Sequence, residues 1–468
     1  MSVIEANDVE LMSHMGNIIP HTYWAKRIME SILFKTFKDT DEVFYYYKGR
    51  YVPNGETIIK QQCEKIITNC DTGTCREVIN TIRRRTYIDR SEFDAIRNLV
   101  NLKNGMYDIE KGILLRHSPK YLSRVQHPIE YKLGVRSKEF TEFLETCFHE
   151  EKDRISILEE IASIFLDGMK FEKAFLHEGI GSNGKSTCFH IIDSLAGEEN
   201  VSHVSIHELT ENRFAASRLD GKCLNTCAEI SDDELKQIRK LKALISGDPI
   251  EVEKKGKDMF TMKNRARMFF GANKLPEINK FREAELRRFI VTHWNQKFKS
   301  KLTQEDLENG IKKADIELNE KLTTPENLSG IFNLVMIHAR KLIQQKRFTY
   351  EQSVEQLERE WKNKEDVIET FVNLYLKVEE GSKVAKSTVF EKYEMWCSEN
   401  KIIPKSFREF NSRLKELLEL DDTRSKIEDK TTVVWSNLQI KVTELPKLPI
   451  LLTGITEKEE GEECLVTR

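Results

Sequence analysis

The chain has 468 residues, with 74 Lys+Arg against 77 Asp+Glu and a formal net charge of -3. That length gives material for roughly two to four domains with real cores. A balance so near neutral excludes a globally basic nucleic-acid binder, although a charged fraction of 32% leaves room for a local basic channel. The nine cysteines, at 63, 70, 75, 147, 188, 223, 227, 397 and 464, are odd in number and form no C-x-x-C pair. This points to reduced thiols rather than a disulfide framework or zinc knuckle. Cys70 and Cys75 could join histidines around a metal, but their spacing is unspecific. No apolar run approaches membrane-span length, so the expectation is a soluble, cytoplasmic protein with no membrane partner.

Residues 1–95 read as mixed and mostly helical. Their aromatic cluster Phe44-Tyr45-Tyr46-Tyr47 fits a half-buried strand better than a base-stacking platform. In residues 96–170 a hairpin is expected around Asn104-Gly105, followed by Ile113-Leu114-Leu115. Helical periodicity then runs through Phe140, Phe143, Leu144, Phe148, Ile155, Leu158, Ile161 and Ile164. Strands and helices alternate from 171 to 298, and an amphipathic helix through Leu328, Ile331, Val335, Ala339 and Leu342 dominates 299–350. Residues 351–445 begin with a charged linker or solvated helix, Glu351 to Glu365. Three helices and a strand pair turning at Asp429-Lys430 follow, an order that suits a winged helix. The acidic tail, 446–468, is expected to be disordered.

The most specific signal is Gly179-Ile180-Gly181-Ser182-Asn183-Gly184-Lys185-Ser186-Thr187, which matches G-x-x-x-x-G-K-[ST] between a short apolar strand (Lys173 to Glu178) and a helix (Cys188 to Leu195). Glycines let successive N–H groups point at phosphate oxygens, and the helix N-terminus adds its positive end. Gly179, Gly181, Ser182, Asn183, Gly184, Lys185, Ser186 and Thr187 are therefore the expected ATP-binding residues. Lys185 would neutralise the β- and γ-phosphates, and the Ser186 hydroxyl would hold Mg²⁺.

A metal-side carboxylate is expected at Glu229, at the end of the strand Lys222 to Ile230, though Asn225 and Thr226 make that strand unusually polar. Ser231 and Glu234 read as a capping box for a helix with Leu235, Ile238, Leu241 and Ile245 on its buried side. The pattern then turns to period two, giving a hairpin whose tip carries Lys254, Lys255 and Lys257. Such lysines are commonly just solvated, but in an ATPase core they are placed to grip a phosphate backbone. The strand Arg267 to Asn273 ends in an amide suited to orienting the attacking water or the γ-phosphate. Arg287-Arg288 offers a guanidinium for a neighbouring subunit's γ-phosphate, against the plainer reading of a salt-bridged structural arginine.

Together these residues resemble the superfamily 3 helicases of the phage/plasmid primase–helicase type. The shared features are the phosphate loop at 179–187, Arg213-Phe214 and Gly221-Lys222, the lone Glu229, Lys242 to Asp248, the basic hairpin, Asn273 to Pro276, and Arg287-Arg288. The resemblance implies an α/β fold: a phosphate-loop, AAA+-like ATPase core between a helical N-terminal region and a C-terminal winged-helix domain. It also implies ATP and Mg²⁺ as cofactors, and a homo-oligomeric, hexameric ring around single-stranded DNA. Lys254 or Lys255 would track the strand, and a separate primase or polymerase would be a further partner. In catalysis, Lys185, Glu229, Asn273 and either Arg287 or Arg288 would act across subunits. Ile230 stands where some members carry a second carboxylate, which leaves open whether Glu229 is metal ligand or general base. The region before residue 90 is short for a primase domain, so primer synthesis is not expected. The expected function is a replicative DNA helicase of a virus or mobile element. The alternatives are an ATP-switched replication initiator or loader, and, with less in its favour, a signalling ATPase.

Overall fold

The computed structural model describes residues 20–441 apart from 96, 167–170, 232–234, 236–237, 277–282, 363–366, 400–403, 419, 421 and 428–429. At its centre five parallel strands form one sheet. They are β1 (Ala174–Glu178), β2 (Val201–Ser202), β3 (Leu224–Cys227), β4 (Arg267–Ala272) and β5 (Phe289–His293). Their spatial order is β5-β1-β4-β3-β2. β1 and β4 are buried along their whole length, as central strands of a parallel sheet covered on both faces must be. The first crossover from β1 to β2 contains helix α1 (Lys185–Ala196), and α2 (Ile238–Ser246) lies between β3 and β4. Because β1 sits between β4 and β5 while the chain leaves it for the far edge, a crevice opens at the carboxyl ends of the central strands.

Helices Lys138–Cys147 and Glu151–Ser163 and the long helix Pro325–Gln345 pack with the sheet in one apolar core. Ser137 caps the first of these by accepting from Phe140 N, and Thr324 caps the last by accepting from Asn327 N, with Pro325 just inside the turn. Arg267, at the start of β4, is almost fully buried. Its Nε donates to Ser163 O at 2.9 Å, so it caps the carboxyl end of the Glu151–Ser163 helix and compensates its dipole. The core also holds a polar chain. Trp294 Nε1 donates to His177 Nδ1 at 3.0 Å, which puts the ring hydrogen on Nε2, facing Glu160 Oε2 at 3.0 Å; Glu160 Oε1 accepts from Thr292 at 2.9 Å.

The N-terminal region places helices His21–Ser31, Gly55–Ile66 and Thr72–Thr86 with a four-stranded sheet of order Arg50–Val52, Val43–Tyr47, Phe34–Phe37, Tyr87–Ile88. The aromatic cluster is a strand, with Phe44 buried, Tyr45 and Tyr46 half-buried and Tyr47 exposed. A three-stranded meander follows (Leu99–Leu102, Gly105–Asp108, Ile113–Leu115); its first turn is Lys103-Asn104, with Gly105 already in the second strand, at the place where the sequence suggests a hairpin. Among the described residues no disulfide forms, and no group of three or more His, Cys, Asp or Glu side chains could hold a metal. No described helix is long and apolar enough to cross a membrane, and no described sheet closes into a barrel.

The chain divides into two compact units, at Leu357/Glu358. The second contains helix Val367–Tyr375, strand Leu376–Ala385, helices Lys386–Glu399 and Phe407–Leu418, and strands Asp422–Ile427 and Lys430–Ile440. The last strand lies in the middle of the sheet. Phe371, Tyr375, Tyr393, Trp396 and Trp435 fill its core. Two sequence expectations change here. Strand Leu376–Ala385 was not anticipated, because Glu379-Glu380-Gly381 interrupts its alternation at a register shift, with Gly381 at φ +80°. The charged stretch 351–365 is helical over Val354–Lys362 and buries Leu357. Asp429 of the anticipated turn, Glu234 of the anticipated capping box and the acidic tail lie outside the described residues, whereas Lys430 already belongs to a strand.

His127 fastens the meander to the core: it bridges to Leu102, lies against Phe165 at 4.7 Å, and its Nδ1 donates to Leu195 O at 3.0 Å. Burial pushes its imidazole down from 6.5 to about 4, against the smaller upward pull of that carbonyl. The unfolded chain therefore binds one more proton than the folded chain between those values. Stability from this group is complete above pH 6.5 and is lost as pH falls towards 4, by about 3 kcal/mol in total. Denaturant titrations across pH 7 to 4 should show this loss, and His127→Gln should flatten that part of the profile.

Candidate active site

The phosphate loop leaves β1 at Gly179 and enters α1 at Lys185. Gly184 has φ +92°, and a Cβ there would sit 2.8 Å from Cys147 Sγ, so only glycine fits both the backbone and the space. Asn183 braces the loop from inside: its Oδ1 accepts from Lys185 N at 3.2 Å and its Nδ2 donates to Trp294 O at 3.2 Å. Phe298 N donates to Ser182 O at 2.8 Å, so the chain beyond β5 supports the loop's outer side.

Lys185 is buried, and its ammonium donates to Gly179 O at 2.8 Å and Ala272 O at 2.7 Å. Burial lowers its pKa, and the Glu229 carboxylate opposes that shift. Glu229 lies just beyond β3 and Asn273 just beyond β4, and both are exposed. Gly181, Ser182, Asn183, Gly184, Lys185, Ser186, Thr187, Glu229 and Asn273 line one cleft of about 950 Å³. The structure thus brings together the loop, the acid and the amide that the sequence pairs only by motif. Gly179 lies beneath the loop, where a Cβ would meet Trp294 O at 2.6 Å.

The cleft has walls that the motifs did not mark. Helix Lys138–Cys147 contributes Glu142, Phe143 and Thr146, and the segment 298–321 contributes Phe298, Lys299, Lys301, Lys313 and Asp315. Their signal in the sequence is weak, since they carry no motif and reach the loop only through tertiary packing.

Arg287 and Arg288 are not in the cleft. They precede Phe289, which pairs with Ala174 at the start of β1, so they stand at the opposite edge of the sheet from the loop. Arg288 is buried, paired to Glu172 at 2.6 Å, and its carbonyl accepts from Ala174 N. Arg287 is exposed. The basic hairpin forms from Pro249–Val252 and Phe260–Lys263. Lys255 and Lys257 are exposed at its tip, but Lys254 faces Asp220 at 3.6 Å and Glu42 at 3.9 Å.

Three family models match separate stretches of this chain. Residues 10–149 match D5 N terminal like, residues 177–288 match a family of unknown function (DUF5906), and residues 363–448 match Poxvirus D5 protein-like. Both flanks of the core are D5-like. The middle match spans Lys185, Glu229, Asn273, Arg287 and Arg288. No curated protein matches the chain. Among solved structures, the chain is similar to the apo structure of the NrS-1 C terminal region, with 14% identity over 90% of this chain and 100% of that one, at a TM-score of 0.44. The A form apo structure of NrS-1 C terminal region-CTR matches at 14% identity and the same coverage, at a TM-score of 0.42. Likeness at that distance lends nothing to the reading of the site.

Gly271 decides how β3 approaches β4: a Cβ there would fall 2.2 Å from Ala228 O, one residue before Glu229. Gly271→Ala should destabilise the fold by about 1–3 kcal/mol, read as a lower denaturation midpoint.

Proposed function

We propose that the chain is an ATP-dependent replicative DNA helicase of a virus or mobile element that forms a homo-oligomeric, hexameric ring and translocates on single-stranded DNA. The observation that carries this reading is the single cleft shared by the phosphate loop, Glu229 and Asn273, with Lys185 held at its floor. The D5-like flanks and the strand order around β1 support the resemblance to superfamily 3 and the AAA+-like reading of the core. The strand and helix order of the second unit suits a winged helix.

In this reading the loop N–H groups and the α1 N-terminus hold the triphosphate of ATP. Two of the three Lys185 donors are taken by carbonyls, and the third serves a β- or γ-phosphate oxygen. The Ser186 hydroxyl and the Glu229 carboxylate are hard oxygen donors of the kind Mg²⁺ takes alongside phosphates, so the residues present fit that ion. When bound, Mg²⁺ would offset charge on the transferring phosphoryl group. Asn273 orients the attacking water or the γ-phosphate. Arg287, exposed at the far edge, serves a neighbouring subunit, while the buried pairing of Arg288 suits a structural role. Lys255 and Lys257 meet the phosphate backbone of the strand. A separate primase or polymerase would complete the machinery in the host cytoplasm.

The second reading, an ATP-switched initiator or loader, draws on the winged-helix-like order of the second unit, a form able to bind duplex. ATP hydrolysis with and without single-stranded DNA separates the two. The helicase reading expects strong DNA stimulation and a loss of about 100-fold or more in Lys185→Ala. Turnover indifferent to DNA, together with sequence-specific duplex binding, would instead establish the initiator. Arg287→Ala should lower turnover at an unchanged unfolding midpoint, whereas Arg288→Ala should lower the midpoint itself.

A further inference from the structure

The base of the basic hairpin is held in a node of charge that no motif announces. From Lys255 to Met259 every tip residue is exposed, but the Lys254 side chain is only 38% exposed. Its ammonium lies between Asp220 and Glu42 and 5.4 Å from the Phe260 ring centroid. Asp220, 8% exposed, also takes Arg90 at 2.7 Å and Arg124 at 3.4 Å. The Arg90 guanidinium lies over Phe37 at 4.1 Å and Phe260 at 4.3 Å and pairs with Asp39, while Arg124 pairs with Asp94 at 2.8 Å. Phe37, Asp39 and Glu42 belong to the N-terminal sheet and its turn, and Phe260 opens the second hairpin strand. The node thus clasps the hairpin between the N-terminal region and the loop that leads into β3.

These pairings say what Lys254 can do. Among the described residues Lys254 faces Glu42 and Asp220, and Asp220 also faces Arg90 and Arg124. Drawing Lys254 away to a DNA phosphate would take a cation from Glu42 and from the covered Asp220, and removing one partner of a buried pair is strongly unfavourable. A phosphate brought to Lys254 would meet those same carboxylates. Burial pushes the Asp220 carboxyl up, and Arg124, Arg90 and Lys254 together more than reverse this, so it stays ionised and committed to the node. Two motif pairs left without a role by the nucleotide cleft also fall into place. Gly221, at φ +75°, leaves room for Arg124, whose nearest nitrogen lies 3.3 Å from an added Cβ. Arg213 pairs with Glu253, the residue before Lys254, at 3.4 Å.

We propose that Lys254 is a positioning residue rather than a DNA contact: with Asp220 and Glu42 it fixes the hairpin to the N-terminal sheet, leaving Lys255 and Lys257 to meet the strand. This rests on the DNA-translocation reading above. Through the Asp220 loop the hairpin is joined to β3, and hence to Glu229, so a load on the tip is transmitted to the nucleotide cleft.

The test measures binding of a labelled oligo-dT across a salt series, and ATP turnover with and without that oligonucleotide, on the full chain. For a single strand each lost phosphate contact lowers the slope of log affinity against log salt by about 0.7. Lys255→Gln and Lys257→Gln should each show that drop. Lys254→Gln should keep the wild-type slope but lose most of the DNA-induced rise in turnover, and Lys254→Arg should restore that rise. Glu42→Gln, on the more exposed side of the node, should reproduce part of the loss without changing the slope, and it stands in for Lys254→Gln should that variant fold poorly. A slope drop in Lys254→Gln equal to that in Lys255→Gln would overturn this inference and leave the helicase reading intact. So would an undiminished DNA-induced rise. Absence of oligo-dT binding by the wild type, with Lys185-dependent turnover still present, would overturn the DNA reading and this inference with it.

Discussion

The glycine-rich loop, Glu229 and Asn273 share one cleft because β4 pairs in parallel with β1 on one side and β3 on the other. The register sets Ala272 beside Glu178 and Phe270 beside Cys227, so the next residues of all three strands emerge at one edge. Gly271 permits the approach by having no side chain to place against Ala228. Lys185 then closes the arrangement, because its ammonium reaches the carbonyls that end β1 and β4, Gly179 O and Ala272 O. A charged-group hydrogen bond is worth more than a neutral one, and here two of them join strands that would otherwise meet only along their ladders.

That edge is stiffened from below by polar groups that an apolar core would not require. Trp294 hydrogen-bonds to His177 and Thr292 to Glu160, and His177 Nε2 lies 3.0 Å from Glu160 Oε2, so these groups gather across helix Glu151–Ser163, β1 and the end of β5. Such groups are costly when unpaired and specific when paired. The same Trp294 that holds His177 through its indole holds Asn183 through its carbonyl. Trp294 therefore ties the loop to the core below it.

The strand, glycine-rich turn and helix over 174–196 could be read in the sequence because glycine spacing has a backbone cause, and β4 because its Met268-Phe269-Phe270 run suits a short buried strand. The acidic strand was harder. Asn225 and Thr226 made it look too polar for a buried strand, yet both are satisfied by tertiary partners: Asn225 exchanges hydrogen bonds with the Val204 backbone, and Thr226 donates to Asp193. Those partners lie more than twenty residues away, beyond any local pattern. The same limit hid the clasp on Lys254, whose carboxylates come from the N-terminal sheet and the Asp220 loop. For Arg287-Arg288 the sequence could say that neighbours at a strand entry face different surroundings, but not which of the two Glu172 would take. Strand Leu376–Ala385 escaped because its bulge erases the alternation by which strands are recognised.

The placement of Arg287 has a consequence for how such a molecule must be studied. β5 is five residues long, so about 16 Å of strand separates the Arg287 backbone from the edge that carries the glycine-rich loop. Among the described residues no arginine lines the cleft. Within the described residues a single chain therefore carries the loop cleft at one edge of the sheet and the exposed Arg287 at the other. If a second copy supplies it, the rate per chain becomes a function of protein concentration: dilution at saturating nucleotide would slow a reaction whose chemistry is otherwise unimolecular.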